Sequence, residues 1–214
     1  MKTERNYYYS PKEELLNIAS HGFGFFASLI AFPFLVLKGL ELDEFWEIAS
    51  YMIYGISLIV LYGASTLYHA AKNPVKRRKL NIFDHAAIYV LIAGTYSPYC
   101  LVALNSKLGW YMFGFVWLFA FIGITLKLFF TGKFSKISTA MYLLMGWQVV
   151  LFINPLAKAL PDFNLKLLII GGVFYSVGAI LYSIKKIPFN HAIFHFFVLA
   201  GSISHFFSIY LLKF

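Results

Sequence analysis

"NHAIFHFFVLAGSISHFFSIYLL", residues 190–212, is apolar over the length of a bilayer and opens with two histidines four apart. About 20 apolar residues in a helix cross the hydrocarbon core of a membrane. In that helix His191 and His195 fall on one face, a single turn from each other. An HxxxH pair alone more often lies among headgroups or bonds to neighbouring helices. Its meaning depends on what other segments bring to the same depth.

Working outward, six more runs reach the same length: 18–37, 48–70, 82–104, 109–130, 137–157 and 165–184. The chain has 214 residues, of which 60% are hydrophobic and 13% charged, with a mean hydropathy of +0.73. A soluble domain is nearer half apolar and a quarter charged, so that class is excluded. The expected fold is an all-α membrane protein, one domain of seven transmembrane helices filling residues 1–214. Cys100 is the only cysteine, which excludes an intrachain disulfide and a cysteine-based metal site. The first 16 residues are polar and precede no small-residue cleavage pattern, so no signal peptide is expected. There is no internal repeat and no low-complexity linker.

The net charge of +9 marks loops, not a nucleic-acid partner. One side of the bundle takes the N-terminus (Lys2, Arg5, Lys12) and the second loop (Lys72, Lys76, Arg77, Arg78, Lys79). It also takes the fourth loop (Lys127, Lys133, Lys136) and the sixth (Lys185, Lys186). These 13 basic residues face 5 on the other side: Lys38, Lys107, Lys158, Lys166 and Lys213. The positive-inside rule makes the richer side cytoplasmic. The N-terminus is then cytoplasmic and, with seven spans, the C-terminus lies outside. The expected location is the cell inner (plasma) membrane, multi-pass.

Orientation fixes depth. The second helix ends in "GASTLYHAA", with His69 near the cytoplasmic end and Ser65 one turn deeper on the same face. The third begins with "NIFDHAAIY", placing Asp84 in its first turn as the only one of nine acidic residues inside a span. The seventh places His191 at its mouth and His195 one turn in. Ionisable groups at membrane depth are costly and usually face the bundle interior or a water-filled cavity. Three imidazoles with one position left for water form a catalytic zinc arrangement. His69, His191 and His195 are the candidate ligands, and Zn2+ the expected cofactor. Zinc lowers the pKa of a bound water toward neutrality. Asp84 is placed to accept a hydrogen bond from that water as general base, or to orient a ligand histidine. Ser65 is placed to donate to a developing oxyanion or to the water.

Singly, each residue has a plainer account. Serine in a membrane helix usually bonds back to its own helix or a neighbour. Asp84 suits a helix first turn, or pairs with the basic run Lys72–Lys79. His69 alone reads as interfacial. Chance would scatter these five over both leaflets, and it is their common level that points to a metal site.

Four motifs, "ELLNIASHGFG" (14–24), "STLYH" (65–69), "FDHAAIYVLIAGTYSP" (83–98) and "HAIFHFFVLAGSISH" (191–205), resemble the hemolysin III family. This is the bacterial branch of the progestin and adipoQ receptor family, in a superfamily that includes alkaline ceramidases. The resemblance covers essentially the whole chain, with the motifs in family order. It implies a seven-helix fold with a cytoplasmic N-terminus, and zinc held by His69, His191 and His195 with Asp84 and Ser65 close to the metal's water. Members of the superfamily are regarded as lipid amide hydrolases or as receptors with such activity. The bacterial branch bears an older label, a pore-forming haemolysin.

Other polar residues have structural readings. His205 lies ten residues past His195, about 15 Å along the helix, too far to share an ion. His85 points about 100° away from Asp84 and reads as a hydrogen-bonding group within the bundle. His21 opens the first helix with Asn17 one turn before it, and reads as packing the helix start. "KNPVKRRK" reads as a solvated loop drawn to anionic headgroups, and Tyr96–Ser97–Pro98 as a kink.

Three functions compete. The first is a zinc-dependent hydrolase cleaving an amide or ester of a lipid-like substrate. The second is a receptor or sensor with a structural zinc. The third is a hemolysin III-type channel or cytolysin, for which polar residues should line the full membrane depth; here they cluster near one leaflet. Membrane lipids and a lipid-like substrate are the expected partners, and nothing in the sequence fixes an oligomeric state.

Overall fold

The computed structural model describes residues 9–130 and 135–212. Lys2, Arg5, Lys133 and Lys213, counted in the charge asymmetry, lie outside these residues. The helices are α1 (Pro11–Leu40), α2 (Phe45–Ala70), α3 (Pro74–Pro98), α4 (Lys107–Phe130), α5 (Ser135–Gly146), α6 (Ile153–Ala159), α7 (Asp162–Ser183) and α8 (Asn190–Tyr210). A π turn, Tyr99–Ala103, continues α3 past Pro98, and a 3-10 stretch, Trp147–Phe152, joins α5 to α6. Seven segments are long and apolar enough to cross a membrane, with α3 plus its π turn forming the third and Ile137–Ala159 the fifth. The chain is a seven-helix membrane protein.

Two helices begin well before their apolar spans. At α1, Ser10 Oγ accepts from the Glu13 N–H at 3.3 Å and Pro11 takes the first helical position. At α3, the Asn73 side chain accepts from the N–H groups of Val75 and Lys76, again ahead of a proline. Capping side chains and a proline at the first position set where a helix starts, whereas hydropathy sets where lipid starts. Four expectations change. Asp84 is not in the first turn of α3 but ten residues along it, and His21 is as far into α1, about 15 Å from each helix start. Glu13, Glu14, Glu47 and Asp162 join Asp84 as acidic residues of crossing segments. "KNPVKRRK" is not a loop: it runs into α3, and Arg77 within it is 1% exposed.

α1 packs against both α2 and α8, and α8 also packs along α7. Gly171 permits that last approach, since a Cβ there would lie 2.2 Å from the His205 ring and 3.1 Å from Gly201 O. Small residues at such crossings let helix backbones come close in lipid. The burial pattern is inverted relative to a soluble protein. Phe23, Phe26, Ile30 and Phe34 of α1 face outward, while Tyr51, Tyr54, Tyr62, Tyr89 and Tyr99 fill the interior. Several interior hydroxyls bond within the bundle: Tyr62 donates to Ser202 Oγ at 2.7 Å and Tyr99 to Ser208 Oγ at 2.7 Å. Without water in the hydrocarbon, polar groups must be satisfied internally.

Candidate metal centre

His69 sits in the last turn of α2, where backbone carbonyls lack helical partners. Arg77, from the start of α3, folds back over this end. Its Nη1 donates to the carbonyls of Tyr68 (3.1 Å), His69 (3.1 Å) and Ala71 (3.4 Å). Its Nη2 donates to Oε1 of Glu14. The other Glu14 oxygen, Oε2, lies 2.7 Å from Nδ1 of His69. A carboxylate only accepts, so Nδ1 of His69 carries the proton and Nε2 keeps a lone pair.

The same logic fixes His195. Ser20 Oγ donates to Asn17 O at 3.2 Å, and lies 3.4 Å from Nδ1 of His195. It accepts there, so His195 Nε2 also presents a lone pair. Between these two atoms stands Nε2 of His191, 3.1 Å from Nε2 of His69 and 3.1 Å from Nε2 of His195. A proton on His191 satisfies one neighbour at most. Three imidazole nitrogens converging with their lone pairs inward repel one another unless a cation lies between them. Ligands about 2.0–2.1 Å from a tetrahedral ion stand roughly 3.3 Å apart, close to the spacing found. All three rings are buried, and their ligand atoms lie within 4.8 Å of one another. The residues present fit a metal ion.

The sequence profile of the family described as Haemolysin-III related matches residues 9–206. The chain belongs to that family. It is 44% identical over 198 residues to the Hemolysin-3 homolog of Bacillus subtilis (strain 168), covering 92% of this chain and 93% of that protein. It is 41% identical over 198 residues to Hemolysin-3 of Bacillus cereus, covering 92% and 90%. It is 30% identical over 176 residues to the monocyte to macrophage differentiation factor of Homo sapiens, covering 78% and 72%. No solved structure matches it.

In this Haemolysin-III related chain two of the three histidines, His191 and His195, line a cavity of about 680 Å³. Asp84, His191 and His195 line one end, and Leu168 and His205 line the other. Asp84 is buried and lies 3.4 Å from Nδ1 of His85, without joining the three-histidine group itself. Ser65 is buried with no partner for its Oγ, and is not among the residues lining the cavity. His85 bonds the Asn81 carbonyl at 2.8 Å, and His205 bonds the Leu168 carbonyl at 3.0 Å, as structural groups do.

His21 does more than pack a helix start. Its ring stacks on His195 at 3.5 Å and 12°, and both of its nitrogens lack partners. On the opposite flank, Tyr9 stacks on His191 at 4.6 Å and 17°. Burial pushes the Tyr9 phenol well above its ordinary range, so it stays protonated. Glu14, Ser20, Arg77 and Tyr9 escaped the sequence reading. A signal existed for Glu14: Glu14, Asn17 and His21 recur at i, i+3 and i+7, one face of a helix, inside a motif already singled out.

Proposed function

We propose that this chain is a zinc-dependent membrane hydrolase acting on an amide or ester bond of a lipid-like substrate. The observation that carries the reading is the convergence of three buried Nε2 atoms beside a cavity of the bundle that His191 and His195 line. Imidazole ligands suit zinc, copper, iron and nickel, and three histidines with an open position favour a catalytic zinc. A zinc ion held there supplies an activated water and a Lewis acid for the carbonyl.

The chain's own groups do the rest. Glu14, held by Arg77, orients His69, and Ser20 orients His195; such partners fix ligand geometry and raise ligand basicity. Asp84 accepts the proton of the attacking water. As the C–N or C–O bond breaks, it returns that proton to the leaving amine or alcohol, giving a carboxylic acid and that product. Ser65 keeps an unpartnered hydroxyl one turn from His69 but does not line the cavity, so the oxyanion is not assigned to it. The apolar cavity takes the chain of the substrate and excludes water.

Metal analysis of the purified protein tests this. About one zinc per chain and hydrolysis of acyl-amide lipids are expected, with both lost in His191→Ala. Wild-type protein without stoichiometric metal would reject the proposal. A sensor with a structural zinc is the second reading, favoured by the way the same contacts tie α1, α2, α3 and α8 together. A pore, suggested by the name Hemolysin-3 of the Bacillus relatives, has less support. Ser204 and Ser208 in the half of α8 away from the metal donate to the carbonyls of Leu167 and Asn164 at 2.7 Å each, which occupies them within the bundle.

A further inference from the structure

The hydrolytic reading leaves two cavity-lining residues without a role: Lys127 of α4 and Lys185, just after α7. Both belong to helix ends on the histidine side of the bundle. Lys127 is 5% exposed; its Nζ donates to Ser138 Oγ at 2.6 Å and lies 5.7 Å from the Tyr142 ring centre. Lys185 Nζ donates to Tyr182 O at 3.0 Å and sits 3.7 Å over the Tyr182 ring. A buried ammonium in a membrane helix is expensive and marks a substrate path or functional site. Among the described residues, the cavity lining carries these two ammonium groups against one carboxylate, Asp84. Neutral imidazoles subtract nothing, and a bound dication would add to the positive side. Deeper in, Leu91, Ile92, Leu156, Leu168 and Val198 make the lining apolar.

A cationic head above an apolar shaft is complementary to one kind of molecule. We infer that the cavity takes an amphiphile bearing a phosphate or carboxylate, its anionic group against Lys127 and Lys185 and its chain in the apolar depth. Ser138, which accepts from Lys127, and Thr139 line the same cavity. That this amphiphile is the substrate rests on the hydrolytic reading; its binding does not require turnover.

The test uses full-length protein in non-ionic detergent and two probes, a fluorescent C18 polyene fatty acid and its methyl ester. Acid is expected to bind about tenfold or more tighter than ester, a difference of about 1.4 kcal/mol, and high salt should shrink the gap. Lys127→Met and Lys185→Gln should each reduce the ratio several-fold, and Lys127→Arg should preserve it. Lys185→Gln, at the exposed rim, keeps the test open should Lys127→Met fail to fold. Equal binding of acid and ester by the wild type would overturn the inference. So would a preference that survives both substitutions but vanishes with chelator, because the metal would then be the anion's partner. Inorganic phosphate binding as tightly as the acid would assign the lysines to a free ion and overturn it too. Acid preference without any hydrolysis would remove the hydrolytic reading and leave this one standing.

Discussion

Glu14 Oε2 stands 2.7 Å from Nδ1 of His69, a contact across 55 residues of sequence. It makes α1, which supplies no candidate ligand, part of the candidate metal centre. Through the other oxygen of the same carboxylate, Arg77 ties the start of α3 to it.

Removing that carboxylate should weaken metal binding without removing a ligand. Outer partners of ligating histidines are typically worth 10–100-fold in metal affinity. Glu14→Ala is therefore expected to raise the zinc Kd by that factor in a competition titration against a chelator. Glu14→Gln, which keeps an acceptor oxygen but no charge, should fall between. An unchanged Kd in Glu14→Ala would separate Glu14 from the metal.

Arg77 should not be replaceable by lysine. One nitrogen of its guanidinium reaches three carbonyls at the end of α2 while another reaches Glu14, a fork that a single ammonium cannot reproduce. Breaking a buried ion pair by removing one partner costs on the order of 3–5 kcal/mol. Arg77→Met should lower the thermal midpoint in detergent strongly, Arg77→Lys nearly as much, and both should weaken zinc. Wild-type stability in Arg77→Lys would show that the fork geometry is immaterial.

The parts of this centre visible in the sequence were those encoded locally. His191 and His195 declare a shared face by their spacing, and hydropathy assigns their segment to the membrane. His69 joins them because the direction of each span follows from counting spans. Ser20 and Arg77 could not be found that way. Ser20 meets His195 across 175 residues and Arg77 meets Glu14 across 63, and such pairings depend on which helices become neighbours. Hydropathy also concealed Glu14 directly. It starts the first span at 18, whereas the Ser10 cap and Pro11 start the helix one turn before Glu14. Ser65 is expected near the metal's water from its position one turn from His69; it is buried with no partner for its hydroxyl, while the side chains lining the cavity come mainly from α3, α7 and α8 and from the α5–α6 segment.

Metal loading should rise with pH. Each imidazole binds metal only when neutral, so protons compete with the ion and binding releases them. With zinc held limiting, occupancy should therefore climb as pH rises and fall away in acid. Zinc retained after dialysis across a pH series measures this. Occupancy that does not fall on acidification, down to the pH at which the protein unfolds, would exclude a three-histidine ligand set.

Asp84 separates the hydrolase from the sensor. Its carboxylate lines the cavity beside His191 and His195 but does not belong to the ligand group. Asp84→Asn keeps the size and a hydrogen-bonding oxygen while removing the proton acceptor, so zinc content and thermal midpoint should stay near wild type. General base catalysis is typically worth 10²–10⁴-fold, and kcat for an acyl-amide substrate should drop by about that amount. Loss of zinc in Asp84→Asn would make the aspartate a partner of the metal shell instead. Full activity with zinc in place would exclude catalysis through Asp84, the one carboxylate that lines the cavity among the described residues.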